Sequence, residues 1–445
     1  MSDLLAARSQ MAVSLAFHII FAVVGMAMPL LMVVAEGRYL RTGDKRYLVL
    51  AKRWAKGTGI MFAVGAVSGT VLSFELGLLW PQFMELAGPA VGMPFSMEGF
   101  AFFMEAIFLG IFLYGWDRVS PRVHWLSGVM VLLSGVTSGV FVVSANAWMN
   151  TPTGFTLRDG KIVDVVPWAA MFNPAFPSQA LHMVVAAFEA VGFGVAGVHA
   201  WLLLRNPSDW LHQRALAIAL TVGGVAAVVQ PLSGDVSAVQ VAENQPIKLA
   251  AMEGHWDTEK GAALKIGGWP DEQREETRFS VDIPYLLSIM AYRDPNAPVR
   301  GLKDFPPDER PPVAVVHLAF DLMVGCGVVL ALVALLEAVL WRRRRPWEVP
   351  WRLKALVACT PLGFIAIEAG WTVTEVGRQP WIVQGVMRTS DAVTSMPQLR
   401  VTFLVFTLLY VVLSVVVVVL MRRLVFASLQ PAEAQAAGEG HHALA

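Results

Sequence analysis

The sequence predicts an all-α integral membrane protein of nine transmembrane helices, with its N-terminus outside and its C-terminus in the cytoplasm. Three observations carry that reading. Of the 445 residues, 56% are hydrophobic and 15% charged, and mean hydropathy is +0.57; a soluble chain of this size is far less apolar. The apolar residues gather into runs long enough for the roughly 20 residues that a helical crossing needs. Lysine and arginine alternate between rich and poor loops, and cytoplasmic loops hold the excess.

Taken in order, the nine runs are 13–35, 58–80, 97–116, 125–146, 180–204, 213–233, 313–341, 352–374 and 399–421. The first has Arg8 ahead of it, lacks a small-residue cleavage site and contains His18, so it reads as a retained span. After it come Arg38, Arg41, Lys45, Arg46, Lys52, Arg53 and Lys56, whereas the next loop carries no basic residue. Arg118 and Arg122, Arg205 and Arg214, Arg342 to Arg345 with Arg352 and Lys354, and Arg422 with Arg423 all fall on the same side as that first cluster. The exception among the short loops holds Arg378 and Arg388, which points to charge kept for function.

Four regions follow: 1–233 with six spans, a polar extracytoplasmic loop over 234–312, three more spans over 313–424, and a disordered cytoplasmic tail over 425–445. His441 and His442 in that tail are incidental. A net charge of zero without a basic stripe argues against nucleic acid. Cys326 and Cys359 lie in apolar stretches, so neither a disulfide framework nor a thiolate metal site is expected.

Ionisable groups inside the spans cost at least about 2.5 kcal/mol each on insertion scales, so each calls for a partner. His18, Glu75, Glu98, Glu105, His182, Met323 and Glu375 all fall at one depth, in the outer half of the membrane. Glu98 and Glu105 stand two turns apart on one helix face, in the aromatic run MEGFAFFMEAIF. Trp371 precedes Glu375 by one turn on the same face. An iron porphyrin takes histidine or methionine on its axis and needs donors for its propionates, which Arg378 and Gln379 offer. The stretch GWTVTEVGRQPW therefore reads as one wall of a haem site. In the outer loop, Lys248 and Glu253 flank LAAM, a base and an acid at the bilayer surface able to bind and deprotonate a quinol head group. Taken alone, each feature has a plainer reading: histidines ending helices, methionine as core, a solvated surface helix. Glu189 and Asp321 are further intramembrane acids without an assigned role. Two rivals stand beside the haem reading. One is a haem-free ion or proton transporter using Glu98, Glu105 and Glu189; the other is a cytochrome that passes electrons without meeting oxygen.

The histidine of the first span, MEGFAFFMEAIFLGIFLYGWDR, ANAWM at Ala145 to Met149, QPIKLAAMEGHW, MVGCG after Asp321 and GWTVTEVGRQPW together resemble subunit I of the cytochrome bd quinol oxidases. The resemblance covers most of the chain. It implies three haems near the outer face: two b-type haems and one haem d, or a third b-type haem in its place. His182 and Met323 look like the axial pair of the low-spin b haem. His18 and Glu375 look like the axial ligands of the two high-spin haems, without settling which takes which. Glu98 and Glu105 would serve the oxygen site and its proton supply, with Trp371 between haems and Arg378 in the catalytic set. Lys248 and Glu253 would lie in the quinol-binding loop. The family oxidises two quinols per oxygen reduced to water and builds a membrane potential without pumping protons. Implied partners are a membrane subunit II of homologous fold, a small single-helix accessory subunit in some assemblies, quinol and oxygen, in a bacterial cytoplasmic (inner) membrane. Two departures stand out: the outer loop is of the short kind, and Asp321 stands where some members have arginine.

Overall fold

The computed structural model describes residues 2–426. Among them are nine helices long and apolar enough to cross a membrane, as the sequence predicts. The apolar runs mark their centres; their ends are set by caps and by packing outside the bilayer. The expected tail lies, from residue 427 on, outside the described residues.

Helix α1 (Asp3–Thr42) starts where the Ser2 hydroxyl accepts from the Leu5 amide, and it stops at Gly43, whose φ of 72° suits a residue without Cβ. Helix α2 (Lys45–Leu79) is separated from α3 (Pro81–Tyr114) by Trp80 alone. Pro81 opens α3 well before the apolar run at 97, because proline in a first turn sacrifices an N–H that has no intrahelical partner anyway. Helix α4 (Pro121–Asn150) and α5 (Phe176–Leu203) follow.

Helix α6 (Trp210–Asn244) is capped by Asp209, whose carboxylate accepts from the His212 amide at 3.0 Å. Its apolar run ends at 233, yet the helix continues to Asn244, a length of about 52 Å against a hydrocarbon core of about 30 Å. The extension survives because the following loop covers it: Ala242 packs with Leu249, Ala262, Leu287, Ala291 and Val299. Helix α7 spans Val313–Leu340, and α8 comes in two pieces, Pro350–Cys359 and Leu362–Val376, broken at Thr360 and Pro361. Helix α9 (Leu399–Leu420) runs on into a π-helical turn, Met421–Phe426. Large exposed residues recur along it at Leu404, Leu408, Val411 and Val415, a stripe that suits lipid rather than water.

The chain divides into two compact units. Among the described residues the first comprises 2–76, 103–134 and 395–426; it holds α1, most of α2, the later part of α3, the start of α4, and α9. The second holds 77–102 and 135–394. In the second unit α5 and α6 meet at Gly192 and Gly223, and α5 meets α8 at Ala190 and Gly363; at both crossings a Cβ on the glycine would collide with backbone. The loop after α6 carries a short helix, Pro246–Met252, and three two-stranded antiparallel ribbons.

Candidate functional site

In the second unit, the end of α8 meets α4 and the short helix Pro246–Met252 in one chain of polar contacts. Arg378 donates to Glu375 Oε2 at 2.6 Å, and the Asn146 amide donates to Glu375 Oε1. Asn150 in turn donates to Asn146 Oδ1 at 3.1 Å, and Lys248 Nζ donates to Asn150 Oδ1. The α4 run ANAWMN thus places one amide every turn to link an acid with a base. Gly377 makes room for the Lys248 stem, since a Cβ there would stand 3.1 Å from Lys248 Cγ. Lys248 and Arg378 are both buried, at 4% and 2% exposure, and one carboxylate faces the two cations. Burial first, then the charge of Arg378, push Lys248 down to about 7, while Glu375 pulls the other way. Arg378 Nε and Nη1 have no partner among the described residues. Gln379, by contrast, is engaged: its Oε1 accepts from Thr389 at 2.9 Å, and its Nε2 reaches the Glu375 carbonyl at 3.4 Å. Trp371 packs against a cluster of Val143, Ala147, Ala175, Phe176 and Ala180.

His182 of α5 faces α6. Its Nδ1 lies 2.9 Å from Ser233 Oγ, and the Ser233 hydroxyl donates to the Gln230 carbonyl at 2.8 Å, so the serine accepts from the ring. That fixes the tautomer and leaves Nε2 with a lone pair, 3.2 Å from the Gln230 amide nitrogen. Gly234 sits flat against the ring, where a Cβ would approach Cε1 to 3.4 Å. Met323 of α7 lies against Gly370 of α8, where a Cβ would stand 2.9 Å from the sulfur.

Lys248 and Glu253 are not joined by an ion pair among the described residues. Glu253 faces α7 instead and is buried, with Oε2 unpartnered. Burial pushes it up to about 8, aided by Asp321 and opposed by Lys265. Asp321 itself lies 3.4 Å from His317, whose ring nitrogens also face the carbonyls of Met252 and Gly267 at 2.7 and 3.2 Å. The two carbonyl contacts fasten the outer loop to α7, and Asp321 Oδ2 lies beside the ring without a hydrogen bond among the described residues. Within the same unit, Ser138 donates to Glu98 at 3.3 Å.

The first unit repeats the histidine arrangement. His18 Nδ1 lies 3.0 Å from Ser68 Oγ, and Ser68 donates to the Gly65 carbonyl at 3.1 Å. Gly69 lies against the ring, 2.8 Å from Cε1 for an added Cβ. Glu105 is buried beside Gly25, and Glu75 accepts from Gln10 at 2.8 Å. His124 is tied to Glu36 at 2.7 Å.

Comparison with known proteins gives this geometry a context. The family model of cytochrome bd terminal oxidase subunit I matches residues 6–428. The chain belongs to that family. It is 40% identical over 424 residues to a Bacillus subtilis protein provisionally named a cytochrome bd menaquinol oxidase subunit I, covering 94% of this chain and 95% of that one. A cytochrome bd ubiquinol oxidase subunit 1 from the same organism is 33% identical, over 99% and 96% of the two chains. The solved bd oxidase of Geobacillus thermodenitrificans superposes with a TM-score of 0.90 at 40% identity, over 96% of this chain and 99% of that one.

As a cytochrome bd subunit I the chain calls for haem, and its side chains fit one. Both histidines have Nδ1 held by a hydroxyl, the arrangement that presents Nε2 to a metal. The two partnerless nitrogens of Arg378, beside a second buried cation, suit a propionate. The serines, Gln230, Asn146 and Asn150 escaped sequence reasoning as individuals. One signal was there to find: Ser68-Gly69 and Ser233-Gly234 are the same dipeptide, each set against a histidine of another helix.

Proposed function

We propose that this chain is the haem-bearing subunit of a terminal oxidase of a bacterial cytoplasmic membrane, which oxidises quinol and reduces oxygen to water with a membrane subunit II. The haems would supply electron transfer and oxygen reduction. His182 and Met323 would hold the low-spin haem, and His18 and Glu375 the two high-spin haems, the third being d- or b-type. The loop after α6 would face the extracytoplasmic side and receive the quinol.

The observation that carries the reading is the Arg378–Glu375–Asn146–Asn150–Lys248 chain, because it gathers two buried basic groups around one carboxylate, away from water. Arg378 would hold a propionate through Nε and Nη1. Lys248, balanced between its forms at neutral pH, binds the quinol oxygen and takes up a proton that the loop returns to the outer side. Glu253, accepting through its open oxygen, is the second proton acceptor once ionised. Glu98, positioned by Ser138, and the buried Glu105 hold protons destined for oxygen. Trp371 fills the apolar gap one turn before Glu375 and keeps water from it. Protons drawn from the inner side and released outside build a potential without a pump.

Reduced-minus-oxidised spectra of the purified complex test this. His182→Ala is expected to lose the low-spin signal and about one third of the haem, while oxygen uptake with a quinol analogue falls to background. An unchanged spectrum would remove His182 from the axis. Haem reduction without oxygen uptake in the parent would instead leave a cytochrome that is not an oxidase.

A further inference from the structure

A groove of about 490 Å³ runs between α6 and α7, away from the histidines and Glu375. Its walls are aliphatic, with Val225 and Val228 from α6 and Ala334 and Ala338 from α7, and it ends at Trp341 and Arg342. Val225 is 62% exposed, so the groove opens sideways. In a chain that spans a membrane, that opening faces hydrocarbon, with an aromatic and a charge at the level of the head groups.

The charge at the mouth is mostly positive, the nearby acid Glu348 accepting from the Arg345 backbone amide at 3.2 Å. Arg342 begins a run of four arginines, Arg342 to Arg345, all exposed. Arg345 stacks on Trp341 at 5.0 Å, and no carboxylate pairs with Arg342, Arg343 or Arg344 among the described residues. The single acid on the groove wall, Glu337, is taken up by the buried Arg352, which reaches both carboxylate oxygens. Arg352 also donates to the Arg344 carbonyl at 2.7 Å and so pins the backbone of the arginine run beside the groove. One buried arginine thus removes the negative charge and fixes the positive cluster in place.

We propose that this groove binds an anionic phospholipid, its acyl chain along the valine and alanine walls and its phosphate on Arg342 and the neighbouring arginines. A zwitterionic lipid would fill the walls equally well but would gain less from the three guanidinium groups of Arg342 to Arg344 that no carboxylate pairs among the described residues. The site is independent of the haem and quinol assignments.

The intact complex, reconstituted in nanodiscs of mixed phosphatidylglycerol and phosphatidylcholine and then stripped in detergent, should retain phosphatidylglycerol in preference by roughly fivefold for each arginine engaged. Mass spectrometry of the retained lipid gives that ratio. R342Q/R343Q/R344Q should retain lipid without the preference, and Ala338→Trp should retain little of either lipid; an unchanged visible spectrum reports that each variant is folded. Val225→Trp, filling the groove from the other wall, serves if the first tryptophan prevents assembly. Equal retention of both lipids by the parent, or retention undiminished by groove filling, overturns the proposal. So does failure of Val228→Cys to react with a thiol reagent in the stripped complex, because the groove would then be covered by protein.

Discussion

A methyl group added at Gly69 would stand 2.8 Å from His18 Cε1, and one at Gly234 would stand 3.4 Å from His182 Cε1. The first distance demands that the ring move; the second is an ordinary contact. Gly69→Ala is therefore expected to lose the chromophore assigned to His18, while Gly234→Ala keeps the low-spin signal, as haem content and visible spectra of the two variants would report. The ionisable residues of the loop lend themselves to a pH test. Glu253 is raised from 4.5 to about 8, so the folded chain holds a proton that the unfolded chain gives up. Its contribution to stability is complete below pH 4.5 and is lost as pH climbs through about 8. Lys248, lowered from 10.5 to about 7, has the opposite sign, with stability present above 10.5 and lost as pH falls through about 7. Melting followed across pH should show Glu253→Gln gaining on the parent between 4.5 and 8 and levelling beyond. Lys248→Met should gain most below 7.

At the scale of the helices, α5 and α6 approach at Gly192 and Gly223 closely enough that backbone meets backbone. A side chain there must wedge them apart, at a cost of about 1–3 kcal/mol or more. Gly192→Leu is thus expected to lower the melting temperature and to release the low-spin haem first, because His182 and Ser233 sit on the separated helices; retention of that haem in a destabilised complex would contradict the pairing. What sequence reveals follows from the same physics. The nine crossings are legible because hydrocarbon demands long apolar runs, and His18, His182 and Glu375 stand out because polarity inside such runs is costly. The extension of α6 to Asn244 is not legible: QPLSGDVSAVQVAEN reads as a polar loop, and its helix is held by contacts distant in sequence, Ala242 packing beneath the later loop and Asp235 accepting from Arg293. Lys248 and Glu253 look like a surface pair in sequence, whereas both are buried and directed to different helices. Their separation depends on contacts with Asn150 and near Asp321, each far away along the chain.

For the molecule as a whole, sidedness is the property on which the proposed potential depends. Lys303 lies in the loop after α6 and Arg343 in the arginine run after α7. With a membrane-impermeant thiol reagent on intact cells, Lys303→Cys is expected to be labelled and Arg343→Cys protected; the reverse pattern would invert the proposed release of protons. Each compact unit keeps one histidine in the same way, with a serine on Nδ1 and a glycine against the ring. A hydroxyl sets the angle of an imidazole without lending it the electron density that a carboxylate would. Any metal bound there stays the readier to be reduced, a bias in favour of drawing electrons from an organic donor and against holding the oxidised form.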